Sequence, residues 1–151
     1  MSALAFAIFF FCYGVNALRN VAQHKPVTLS SYSPRWPASN AVNGILSDHV
    51  LTNDEDNPYL RIDLGKNYMI HQIEVFSRQS CCGKQIHDLE VKVGKFLNLT
   101  TVYGYYSGFA KDAEQISFWC PYSTVGRHVQ IQIFKGVNDV LTPAEVIVWG
   151  K

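Results

Sequence analysis

The residues of this chain that could do chemistry crowd into one short stretch, Arg78-Gln79-Ser80-Cys81-Cys82-Gly83-Lys84-Gln85. Consecutive Cα atoms across a trans peptide stand about 3.8 Å apart, below the separations of about 4.4–6.8 Å that ordinary disulfides bridge. A Cys81–Cys82 bond would therefore close a tight ring and force a rigid corner. Such a ring shows solvent a small apolar plate of sulfur and carbon. Arg78 and Lys84 beside it carry only hydrogen-bond donors. A plate flanked by donors suits a saccharide, which has a C–H face and a hydroxyl rim. The alternative is two reduced or separately paired cysteines in an ordinary loop.

A bond of that kind needs oxidising surroundings. Residues 1–17 hold no Lys, Arg, Asp or Glu, and their apolar run from Ala3 to Cys12 is too short to cross a bilayer. The run ends in Gly14-Val15-Asn16-Ala17, small residues at the spacing a signal peptidase reads. Residues 1–17 thus read as a secretory signal peptide, against the alternative of a buried N-terminal helix. Residues 18–151 read as one extracellular domain of ordinary size. Cys81, Cys82 and Cys120 remain, so pairing of the first two leaves Cys120 as a buried thiol or as the bridge of a homo-oligomer. A formal charge of +1 offers no basic field for nucleic acid or an anionic membrane. No later segment is long enough to span a bilayer, and Asn98-Leu99-Thr100 is an N-glycosylation acceptor in a secreted chain.

The elements that must position these residues read as strands. Tyr59–Leu64, Ile70–Phe76, Leu89–Gly94 and Val129–Ile133 alternate apolar and polar residues. Val27–Ser30, Ile116–Trp119 and Val146–Trp149 add shorter runs, and Gly65-Lys66-Asn67 turns the chain between the first two. After residue 17 no helical periodicity exceeds two turns, and Ala110–Glu114 is at most one turn. Strands of 4–8 residues separated by turns predict an all-β, antiparallel jelly-roll β-sandwich with one face of each sheet buried.

Other candidates read blandly. His24, His71, His87 and His128 lack ligand spacing and read as solvated or satisfied histidines. Trp119 and Trp149 sit in strand patterns and read as core, whereas Trp36, between Pro34 and Pro37, is the better contact residue. Tyr103, Tyr105, Tyr106 and Phe109 are either sheet packing or a self-association patch. No nucleophile turn or metal triad appears, and Asp54, Glu55 and Asp56 crowd one loop, whereas glycosidase carboxylates face each other across a substrate. The chain reads as a binding protein, not an enzyme.

Several motifs together carry a family resemblance. Ala38-Ser39-Asn40-Ala41-Val42-Asn43-Gly44, Asn57-Pro58-Tyr59-Leu60-Arg61-Ile62-Asp63-Leu64-Gly65, Arg78-x-x-Cys81-Cys82, Phe118-x-Cys120, Gly126-Arg127-His128-Val129 and Leu141-Thr142-x-x-Glu145-Val146 resemble the F-type (fucolectin, eel-agglutinin-like) lectins. That family lies within the coagulation-factor C-type, discoidin-like class of galactose-binding-domain-like sandwiches. The resemblance covers nearly the whole chain after residue 17. It implies a secreted lectin that binds fucosylated glycans or glycoproteins in defence or cell recognition. It also implies a Cys81–Cys82 disulfide packed on the sugar, with ligand contacts from His49, Arg78 and Lys84.

The departures from the family pattern are specific. Its Asp falls on Ser80, removing the carboxylate that would orient the basic groups. Its second basic position falls on Gln85, with Lys84 one residue early, and its His falls on Leu51, with His49 two residues before. A charge-assisted hydrogen bond contributes about 1.5–3 kcal/mol, so fucose binding is expected to be weak, altered or absent. Asp48 and Ala144 stand where the family has a bridged cysteine pair, and the family partner of Cys120, near Tyr103, is also missing. The resemblance further implies a structural calcium held by Asn40, Asn43, Ile45, Ser47, Ala144 and Glu145. Calcium takes six to eight oxygens, several of them carbonyls; the alternative is a plain polar turn closed by Asn43-Gly44. Two functions stay open: a lectin with a degenerate sugar site, and a sugar-blind structural or adhesion protein.

Overall fold

The computed structural model describes residues 17–151. The expected signal segment, apart from Ala17, lies outside the described residues. Eight strands follow in order: β1 (Arg19–Asn20), β2 (Val27–Leu29), β3 (Tyr59–Phe76), β4 (His87–Gly94), β5 (Val102–Phe109), β6 (Gln115–Trp119), β7 (Val125–Ile133) and β8 (Glu145–Gly150). Two 3₁₀ turns, Ala38–Val42 and Gly83–Gln85, are the only helical pieces among the described residues. All the strand pairings are antiparallel, as the alternation predicts.

The long β3 organises the sandwich because it serves both layers. Its first half pairs with β2 and β7, and β4 and β5 continue that layer. Its second half lies between β6 and β8, with β1 beyond. The expected turn at Gly65-Lys66-Asn67 is instead a bulge within one strand. β7 stays the partner on both sides, with Asp63 opposite His128 and Tyr68 opposite Gly126. Gly65 takes φ +87° there, and its N–H donates to Asp63 Oδ1 at 2.8 Å. A bulge of this kind bends and twists its strand, which lets one strand pass from layer to layer.

Inward residues of the two layers form one core. Leu60, Ile62, Leu64, Ile73, Val75, Leu89, Val91, Val129, Ile131 and Val148 are fully or almost fully buried. Each alternates with an outward residue, as period two requires. That rule also overturns one expectation. In β6, Ile116 and Phe118 take the inward positions, so Trp119 points out and is 73% exposed. Trp149 is half-buried, and its indole N–H donates to Glu74 Oε2 at 2.8 Å. The aromatic stretch proves to be β5, in which Tyr103 and Tyr106 pack on the core while Tyr105 and Phe109 face out.

The histidines divide. His87 sits between Asp88 and Asp139, at 3.1 and 3.0 Å. Against expectation, His71 Nε2 and His128 Nδ1 are buried with no partner among the described residues. The acidic loop is structural: Glu55 Oε1 accepts from the Ser30 and Ser31 hydroxyls, and Asp56 Oδ1 accepts from the Asn138 N–H.

Candidate functional site

Where β3 ends, Ser77 is fully buried and anchors the next loop. Its hydroxyl donates to the Lys111 carbonyl at 2.6 Å and accepts from the Glu114 N–H at 2.8 Å. The Ala113 N–H donates to the Arg78 carbonyl at 2.9 Å. Gly83 closes the bracket, its N–H donating to Asp112 Oδ1 at 2.7 Å. A Cβ at Gly83 would collide with the Lys111 carbonyl, so only glycine lets the two loops approach this closely. The 110–114 segment, expected to be at most one turn, is therefore the strut that holds the chemistry-bearing stretch in place.

Within that stretch Cys81 and Cys82 are bonded to each other across a Cα separation of 3.8 Å. Cys82 adopts φ 68°, the left-handed conformation, and makes the corner. The bond follows directly on Ser80, one of the residues around a cavity of about 210 Å³ formed with Ser47, Asp48, His49, Arg78 and Gln79. The structure thus brings His49 and Arg78 together from segments far apart in the chain. Val50 N–H to the Pro143 carbonyl at 3.1 Å and Thr52 N–H to the Leu141 carbonyl at 3.2 Å dock the 49–52 segment. Trp36 stacks on His49 with ring centroids 4.0 Å apart, and the Arg35 guanidinium lies 5.4 Å from the Trp36 ring. Lys84 is exposed on the 3₁₀ turn and does not line the cavity.

The electrostatics follow from this packing. His49 is 7% exposed. Burial holds its imidazole below the usual value, the Arg78 charge adds to that, and Asp48 opposes it. The ring is therefore neutral at pH 7, able to donate from one nitrogen and accept at the other. Asp48 Oδ2 accepts from Asn43 Nδ2 at 2.9 Å. Asp48 occupies a position that the resemblance assigns to a bridged cysteine, and nothing about it in isolation marked it as a cavity residue.

The residues expected around a cation only partly converge. Glu145 Oε2 accepts from the Gly44 N–H at 3.1 Å, while Oε1 is buried without a partner among the described residues. Burial pushes this carboxyl up to about 7. Asn43 Oδ1 accepts from the Ile45 N–H at 2.8 Å, and Asn40 Nδ2 donates to the His49 carbonyl at 3.1 Å. Ser47 lines the cavity, Ile45 is exposed, and the Ala144 N–H donates to the Phe76 carbonyl at 2.8 Å. No cluster of three or more His, Cys, Asp or Glu side chains among the described residues suits a metal. The orphaned Glu145 oxygen nevertheless fits a cation whose other ligands are main-chain carbonyls. Asn98 is exposed on the loop between β4 and β5. Cys120 carries a free thiol packed against the core, and burial pushes it up to about 11.

Known proteins share this architecture. Fucolectin of Anguilla anguilla is 26% identical over 122 residues, which is 75% of this chain and 77% of that protein. Fucolectin-1 of Anguilla japonica is 29% identical over 98 residues, 63% of this chain and 54% of its own length. The crystal structure of the serum F-lectin (fucolectin) of Morone saxatilis, striped bass, superposes with a TM-score of 0.79 at 26% identity, across 88% of this chain and 49% of that one. The chain therefore spans about half the length of two of these three relatives. A profile of F5/8 type C, NedA-like galactose-binding domains matches residues 40–131, more than half of the chain, and the chain belongs to that family.

Proposed function

We propose that this chain is a secreted carbohydrate-binding lectin domain of fucose type with an altered sugar site, and not an enzyme. The observation that carries the reading is the convergence of His49 and Arg78 on one cavity beside the Cys81–Cys82 bond. The sulfur plate beside the cavity offers an apolar face for sugar C–H groups, and the Trp36 ring backs His49 on its wall. Arg78, Ser47, Ser80 and Gln79 offer hydrogen-bond partners for the rim. Relatives named fucolectins support the ligand class. Two fucose contacts of the family pattern are weakened: Ser80 brings no charge, and Gln85 buries a side-chain oxygen that lacks a partner among the described residues. We therefore assign weak or altered fucose binding.

In the same reading residues 1–17 are a removed signal peptide, residues 18–151 the mature domain, and Asn98 a glycosylation site. A structural calcium rests on Glu145, with the Asn40–Ser47 loop and the Ala144 carbonyl around it. A homo-oligomer bridged through Cys120 would require that thiol to leave its core packing, so we assign it as a half-buried free thiol. The test is a glycan array followed by calorimetric titration with L-fucose. Arg78-dependent saccharide binding is expected. The absence of binding to any saccharide would favour the sugar-blind adhesion reading, which the altered Ser80 and Gln85 also favour.

A further inference from the structure

The chain satisfies its other half-buried arginines internally. Arg127 forks onto Asp63 through Nε and Nη2 at 2.6 and 2.8 Å, and Arg61 donates twice to Gln130 Oε1, at 3.0 and 2.6 Å. Arg78 differs. It is half-buried and lines the cavity, yet among the described residues its guanidinium has no carboxylate at ion-pair distance. A guanidinium presents donors in a rigid planar fork that matches a carboxylate or a sulfate in bidentate geometry. Here that fork lines a cavity that the His49 and Arg78 segments share.

We propose that the cavity takes an acidic saccharide, one bearing a carboxylate or a sulfate, with Arg78 as the fork that holds the anion. This rests on the saccharide-binding reading above and narrows its ligand class. The surroundings agree. Ser47, Ser80 and Gln79 can all donate to an oxyanion, and Arg35, held over Trp36 at 5.4 Å, adds a second positive charge above the His49 stack. One group opposes it. Asp48 is the single carboxylate on the lining, and one of its oxygens is engaged by Asn43. That opposition makes the proposal decidable, because Asp48 acts with opposite sign on the two kinds of ligand. It repels an acid, whereas it accepts hydrogen bonds from a neutral sugar.

The test is titration of the secreted chain with methyl glucuronide, fucose sulfate and their neutral parents, methyl glucoside and L-fucose. The acids should bind about tenfold tighter than their parents, the gain of one charge-assisted contact over a neutral one. That gain should shrink as salt is raised to about 0.5 M. Arg78→Gln should erase the preference with little change in thermal stability, since among the described residues the guanidinium has no carboxylate at ion-pair distance, and Arg78→Lys should restore part of it. Asp48→Asn should tighten the acids several-fold and weaken the neutral sugars. Preference for the carboxylate alone or the sulfate alone would identify the group. Neutral fucose bound as tightly as its sulfate, or an acid preference that survives Arg78→Gln, overturns the inference. In the first case the lectin reading stands, because fucose still binds. If no saccharide binds at all, both fall.

Discussion

Trp36 covers His49, with ring centroids 4.0 Å apart and planes tilted by 33°. The indole closes one side of the imidazole and contributes to the burial that holds it below its ordinary value. A folded-state value below the unfolded one means that protonation opposes the fold. The stability His49 gains by staying neutral is therefore present above about pH 6.5 and is lost as pH falls below that value. Trp36→Ala should move the His49 titration, followed by NMR, upward toward the ordinary value. The same change should weaken saccharide binding roughly three- to tenfold, the loss of one aromatic contact. An unmoved titration would mean that the indole does not shield the imidazole.

Glu145 works in the opposite direction. Its carboxyl titrates near 7 in the fold against an ordinary 4.5, so the folded state holds its proton longer than the unfolded state. Stability should fall as pH rises from about 4.5 to about 7 and then level off, by roughly 3 kcal/mol if the whole shift is realised. Glu145→Gln should flatten this decline in urea titrations at pH 5 and pH 8. Calcium should raise the melting temperature of the wild type more at pH 8 than at pH 5, because a bound cation favours the ionised carboxylate. No calcium response at either pH would remove the ion from this loop.

Gly83 is held between Cys82 and the 110–114 strut, where an added methyl meets the Lys111 carbonyl. Gly83→Ala should cost about 1–3 kcal/mol by overpacking, measured by urea denaturation. It should also weaken saccharide binding, since the loop bearing Arg78 and the cysteine pair loses its brace. A neutral effect on both would show that the strut yields without consequence.

Cys120 packs on the core with its thiol pushed up to about 11. Almost no thiolate exists at neutral pH, and the thiolate is the reactive form. The native protein should resist alkylation by iodoacetamide for hours and run as a monomer without reductant. Rapid labelling, or a dimer released by reductant, would place the thiol at the surface.

Much of this could be read along the chain, because its physical basis is local. Period-two alternation at Tyr59–Leu64, Leu89–Gly94 and Val129–Ile133 sends successive side chains to opposite faces of a strand and the apolar set to the core. A bond between adjacent cysteines likewise imposes a corner through its own ring geometry. Other features depend on which distant segments meet. Gly65 reads as a turn by itself and becomes a bulge because β7 pairs on both sides of it. Trp119 reads as core by its hydrophobicity and faces out because Phe118 fills the inward place.

The site divides in the same way. Arg78, Cys81 and Cys82 were visible in the sequence as a candidate ligand surface. That Asp48 and Ser47 line the same cavity, that Lys84 does not, and that Glu145 keeps one oxygen without a partner became evident only in the fold. Hydrogen bonds and charges act through space over a few ångströms, and residues that distance apart here are tens of positions apart in the chain.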